Sequence, residues 1–81
     1  MTFIATFFAH IGALRFKKMC DGEGIEARTM PVPRSLSSSC GMCVEFKCDA
    51  PLEKDKYTAE VETVSLVTAE GYKEIYRADG I

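Results

Sequence analysis

No apolar run in this chain of 81 residues approaches the roughly 20 residues that a membrane-spanning helix needs. The opening stretch, Met1-Thr2-Phe3-Ile4-Ala5-Thr6-Phe7-Phe8, has neither a basic n-region nor a cleavage site, so a cytoplasmic location is expected. Nor is there a basic cluster beyond Lys17-Lys18. The 10 basic side chains are scattered from Arg15 to Arg77 and set against 12 acidic ones, for a net charge of -2. A phosphate-tracking stripe is therefore missing, and nucleic acid is not an expected partner. Only one histidine, His10, is present, and no Ser-His-acid set can be recognised around it. The glycines never fall as G-x-G-x-x-G, and no other cofactor fingerprint is found. What is there is a core-sized share of apolar residues, 47%, with 27% charged. That composition describes one small soluble domain over residues 1–81, too small for a deep substrate pocket or for a multidomain enzyme.

The periodicity changes along the chain. Thr2 to Phe8 is aromatic and β-branched on both parities, as in a central strand. From His10 to Glu23, Ala13, Phe16 and Cys20 recur at helical spacing, with Ile11 and Leu14 widening the stripe and Arg15, Lys17 and Lys18 outward, and Gly22 and Gly24 end the helix. Ile25 to Met30 alternates as a strand and is stopped by Pro31-Val32-Pro33. Ser35-Leu36-Ser37-Ser38-Ser39 favours turns and caps. Met42, Val44 and Phe46 then alternate against Cys43, Glu45 and Lys47, a third strand. Leu52 to Thr68 places Tyr57, Val61, Val64 and Val67 at helical spacing. The β-branched Thr58, Val61, Thr63, Val64, Val67 and Thr68 leave a strand reading open; length favours the helix. Tyr72 to Arg77 is a last strand.

The order β-α-β-(loop)-β-α-β predicts an α+β, ferredoxin-like split βαβ fold, a four-stranded antiparallel sheet with two helices on one face. Its other face would be open near Phe8, Ile4 and Met30, which would suit a homodimer. In this topology the third strand lies antiparallel between the first two, so His10 and Cys40 meet at one pole. Cys48, eight residues along a strand at about 3.3 Å each, lies on the order of 26 Å from Cys40.

In the expected reducing compartment the four cysteines are thiols. Cys20 and Cys48 read as small apolar residues. The pair with chemical promise is Cys40-Gly41-Met42-Cys43. Backbone N–H groups of the Ser38-Ser39-Cys40-Gly41 turn, the first helix's N-terminus, Arg34 and His10 all favour a thiolate on Cys40. Gly41 permits positive φ and lets an anionic group on the sulfur approach the main chain. The same surroundings favour a persulfide or perselenide anion, with Cys43 as resolving thiol. Fully extended, the Cys40 and Cys43 Cα atoms would be about 10 Å apart, beyond disulfide reach, so the geometry at Gly41 decides whether the pair can close. A zinc or iron-sulfur site is the other use of such a pair. Cys40, Cys43 and His10 supply only three ligands, leaving the fourth to water or a second subunit, and no metal is expected.

The string Met30-Pro31-Val32-Pro33-Arg34-Ser35-Leu36-Ser37-Ser38-Ser39-Cys40-Gly41 resembles the signature of a bacterial family, once a domain of unknown function, described as selenium/sulfur carrier-like. The opening strand, the helix beginning near Ala13-Leu14, and Gly24-Ile25-Glu26-Ala27 agree with it, so the resemblance covers nearly the whole chain. It implies a small cytoplasmic protein that holds selenium or sulfur on Cys40. Its partners would be a donor such as a cysteine desulfurase and an acceptor protein. Cys43 and Cys48 are additions to that pattern and are not carried over as carrier residues. The expected function is thus a sulfur or selenium carrier without free turnover, using no cofactor, with Cys40, Cys43 and His10 reactive and Arg34, Ser38, Ser39 and Gly41 binding the anion. The competing classes are a dimeric anion- or partner-binding module and a C-x-x-C redox or metal module.

Overall fold

Phe3, Ala5 and Phe7 point to one side of the first strand and Ile4 and Thr6 to the other, and all five are buried. A strand closed off on both faces belongs in the middle of a sheet. In the computed structural model, which describes residues 1–78, that is where it lies. The elements are β1 (Thr2–Phe7), α1 (His10–Gly22), β2 (Glu26–Pro31), β3 (Met42–Lys47), a single 3-10 turn (Lys54–Lys56), β4 (Val61–Thr68) and β5 (Gly71–Arg77). They form one five-stranded sheet in the order β2-β3-β1-β4-β5, with every neighbouring pair antiparallel.

The predicted four strands and two helices are thus corrected to five strands and one helix. The segment expected as a second helix, Leu52 to Thr68, supplies the short 3-10 turn and then β4. Its β-branched residues decide the matter. Val61, Thr63, Val64, Val67 and Thr68 lose side-chain freedom in a helix and pack well on a pleated surface between β1 and β5. A two-residue turn, Ala69-Glu70, joins β4 to β5, with Gly71 at φ +130° and the Thr68 hydroxyl donating to the Gly71 carbonyl at 3.1 Å. The other predicted elements fall within a residue or two of the observed ones. The third strand does lie between the first two, paired antiparallel with each.

α1 covers the β2, β3 and β1 half of one face. Phe16 reaches from the helix into an aromatic cluster, its ring centroid 5.5 Å from Phe7, 5.2 Å from Phe46 and 6.5 Å from Tyr57. Tyr57, beside the 3-10 turn, in turn meets Tyr76 of β5 at 4.8 Å. An irregular segment therefore covers the half of the sheet that a second helix would have covered. No helix among the described residues is long and apolar enough to cross a membrane.

On the opposite face Ile4 is flanked across the ladders by Glu45 and Ser65 and is 1% exposed. Glu45 is paired with Arg28 at 3.0 Å, and Glu26 with Lys47 at 3.5 Å, so this face is dressed by charged side chains. Ile4 accordingly offers no surface for the expected sheet-face dimer; of the three residues named for it, Phe8 is exposed and Met30 half-buried.

The helix meets the start of β4 at Gly12. A Cβ there would lie 2.8 Å from the Glu60 Cβ and 3.4 Å from a Phe7 ring carbon. Gly12→Ala should destabilise the fold by about 1–2 kcal/mol despite alanine's better helix propensity, because two rigidly placed carbons must separate. Gly22→Ala, with nothing within 4 Å, should instead stabilise by up to about 1 kcal/mol. Urea unfolding of the two variants checks the pair; the same sign for both would contradict the packing argument.

Candidate functional site

The connection between β2 and β3, residues 32–41, carries the motif singled out in the sequence. Its neck is closed by the Val32 N–H donating to the Gly41 carbonyl at 3.2 Å. Pro33 and Leu36 close a turn inside it, with the Leu36 N–H donating to the Pro33 carbonyl at 3.0 Å. The loop then folds back over the end of β1, where the Ser38 hydroxyl donates to the Phe7 carbonyl at 3.1 Å. Ser39 is held from the other side by β4: its N–H donates to Glu62 Oε1 at 3.2 Å and its hydroxyl to Oε2 at 3.3 Å. A run of serines is chemically suited to this, since short hydroxyl side chains satisfy backbone groups where no ladder is available.

Cys40 sits at the inner end of this loop, half-buried. Gly41, at φ +74°, turns the chain so that the Met42 N–H points back to the Cys40 Sγ at 3.5 Å. The thiol in turn faces the Met42 carbonyl at 3.3 Å, and the Ser38 hydroxyl lies 3.9 Å from the sulfur. The Cys40 N–H donates to the Ser38 Oγ at 3.4 Å. A Cβ at position 41 would meet nothing within 4 Å, so glycine serves the backbone conformation here and not the space.

His10, the exposed first residue of α1, lines a cleft of about 330 Å³ together with Thr29, Met30, Pro31, Gly41 and Met42. The structure therefore brings His10 and the Cys40–Gly41 turn to one pole, with the cleft beside Gly41. Ala9 caps the helix with no side-chain hydrogen bond. Arg34, on the Pro33–Leu36 turn, is exposed and enters no ion pair among the described residues.

The remaining thiols differ from Cys40. Cys43 lies in β3, fully buried, its Sγ 3.7 Å from the Pro31 carbonyl. Burial first, then the charges of Glu45 and Cys40, push this thiol up to about 11. It is not bonded to Cys40: all four cysteines are free. Cys20 is buried beneath α1 and is likewise pushed up to about 11, by burial before the influence of Cys48, Asp21 and Glu23. Cys48 is at the other end of the sheet, its N–H donating to the Met1 carbonyl at 3.0 Å while the Cys40 loop binds at Phe7. Among the described residues no three His, Cys, Asp or Glu side chains come together as a metal site.

Glu62 is the site residue that sequence reasoning missed. It lay inside a segment read as a helix, where it would have been one more solvated carboxylate. The signal that it does something else is the interrupted β1–β4 register, Thr6 facing Thr63 but Phe7 facing Val61, which exists only once β4 is recognised as a strand.

No curated protein and no solved structure matches the chain. A family model does, over residues 2–76, spanning β1 through nearly all of β5 and including the whole β2–β3 loop. On that match the chain belongs to the family described as "Putative Se/S carrier protein-like".

Proposed function

We propose that this protein carries a sulfur or selenium atom on Cys40 and delivers it to a partner. One observation carries the reading: Cys40 is the cysteine that combines partial exposure with a backbone N–H, that of Met42, aimed at its sulfur. Cys20 and Cys43 are buried and hold their protons tightly. An N–H donor favours an anionic sulfur and remains usable when a second chalcogen atom is attached. Family membership supports the same chemistry.

In this reading the Cys40 thiolate attacks the terminal sulfur of a donor persulfide. The new S–S bond forms on Cys40 as the donor's S–S bond breaks, and the electron pair leaves with the donor's cysteine thiolate. A perselenide donor reacts in the same way, and an acceptor thiolate repeats the step to unload the atom. No net oxidation occurs. The cleft beside Gly41 seats the partner's loop, His10 serves as the proton source for the departing thiolate, and Arg34, which enters no ion pair among the described residues, draws in the anionic cargo. Cys43 would resolve the persulfide only if it first lost the proton that burial makes it keep, so transfer between proteins is favoured over an internal disulfide.

Intact mass under anaerobic, non-reducing conditions tests this after incubation with a cysteine desulfurase and its amino-acid substrate. Wild type and Cys43→Ser should each gain one sulfur atom, or one selenium atom from selenocysteine, and Cys40→Ser should gain none. Undiminished loading of Cys40→Ser would overturn the assignment. A loss of two hydrogens that needs both Cys40 and Cys43 would point to a redox pair instead.

A further inference from the structure

Between Thr6 and Phe7 the β1–β4 ladder slips by one residue. Thr6 and Thr63 stay opposed, with their hydroxyls 2.6 Å apart and both residues buried. The Thr63 N–H donates to the Thr6 Oγ1 at 3.2 Å, so a side chain satisfies a group that the slipped ladder leaves behind. Phe7 then opposes Val61, and Glu62 is the extra residue of a β-bulge. Bulges re-aim side chains. Here the re-aimed carboxylate is the one that receives both the N–H and the hydroxyl of Ser39, the residue preceding Cys40. On its other side the Glu62 carbonyl accepts from the Ala78 N–H at 2.9 Å, which fixes the bulge against the end of β5.

We infer that Glu62 is a positioning residue for Cys40: through its two bonds to Ser39 it holds the loop in the conformation that keeps the Met42 N–H on the Cys40 sulfur. The requirement is physical. The Cys40 turn hangs on the Val32–Gly41 neck and on Ser38, whose hydroxyl donates to the Phe7 carbonyl and accepts from the Cys40 N–H. Released at Ser39, the loop keeps no hydrogen bond to β4 at this residue, and the sulfur is free to leave its donor. The carboxylate also has a cost, since a negative charge near the loop disfavours an anion on Cys40. Its bonds to Ser39 and the nearby charge of Arg77 offset part of that cost. Glu62 never touches the transferred atom, so its effect must act through loop geometry.

The inference rests on the carrier reading only for the purpose the held thiol serves; the clamp itself can be read without any cargo. Glu62→Asp keeps the charge but withdraws the carboxylate by one methylene. Glu62→Gln keeps the reach and an acceptor for the Ser39 N–H but removes the charge. In Glu62→Asp, hydrogen exchange at the Ser39 amide should rise by about tenfold, the effect of losing one hydrogen bond to a charged group. Alkylation of Cys40 by iodoacetamide, located by peptide mass and followed across pH, should slow at neutral pH. Glu62→Gln should retain Ser39 protection and alkylate at least as fast as wild type. Wild-type exchange and alkylation in Glu62→Asp would overturn the inference, as would equal losses in both variants, which would mean a general weakening of the fold. Failure of wild type to take up sulfur, with the clamp readouts as expected, would remove the carrier reading and leave Glu62's positioning role intact.

Discussion

Phe16→Ala should cost about 3–5 kcal/mol and leave little folded protein at room temperature. The residue is 5% exposed, and its ring reaches three separate parts of the core, Phe7 of β1, Phe46 of β3 and Tyr57 beside the 3-10 turn. Removing its ring withdraws a partner from all three, and an irregular segment such as that around Tyr57 has no ladder of its own to keep it in place. Domains of this size bury only about 60% of their unfolded surface, so the margin that has to absorb the loss is small. Leu14→Ala, two residues earlier and 53% exposed, should change stability by no more than about 0.5 kcal/mol. Urea titrations of both variants check the contrast. A loss below about 1.5 kcal/mol for Phe16→Ala would mean that α1 is not the principal cover of the sheet.

That hub was legible from spacing alone. Ala13, Phe16 and Cys20 fall on one helical stripe and are buried, whereas Ile11 and Leu14, expected to widen it, lie beyond the sheet's cover and are exposed. The two apolar parities of β1 likewise gave its burial, and in β3 Val44 and Phe46 face the helix while Glu45 faces the charged side and pairs with Arg28; Cys43, on the parity read as polar, is nonetheless fully buried. The error lay where two periods coincide. Val61 and Val64 are three apart, as helix partners would be, yet both are buried in one strand, on either side of the bulge at Glu62. An added residue shifts strand parity by one and so turns an alternating pattern into one that resembles a helical repeat. The same bulge hid Glu62. For the site, the loop, its glycine turn and the pole shared with His10 followed from order and composition. The division of labour among cysteines did not, because burial distinguishes Cys40 from Cys43 and burial depends on Pro31, Thr6 and the loop closing around position 43.

Those buried thiols carry the second large effect, a loss of stability in alkali. Cys20 and Cys43 are each pushed up from 9.0 to about 11, in both cases chiefly by burial. The folded thiols therefore keep protons that the unfolded chain releases above pH 9.0. With the folded value above the unfolded one, the stabilisation is fully present below pH 9.0 and is lost as pH rises through about 11. Each shift corresponds to on the order of 3 kcal/mol, so the two together approach the whole stability of a small domain. Tyr57, raised by burial and by Cys48, acts in the same direction. Urea midpoints should fall steeply between about pH 9 and pH 11 for wild type. The double variant Cys20→Ala, Cys43→Ala should begin lower, because of the volume it loses, but decline much less over that interval. Parallel declines would assign the alkaline transition to the lysines and tyrosines instead. A flatter line for the double variant would show that the two thiols on either side of the sheet are held neutral by the core, in contrast to the half-buried Cys40 and Cys48.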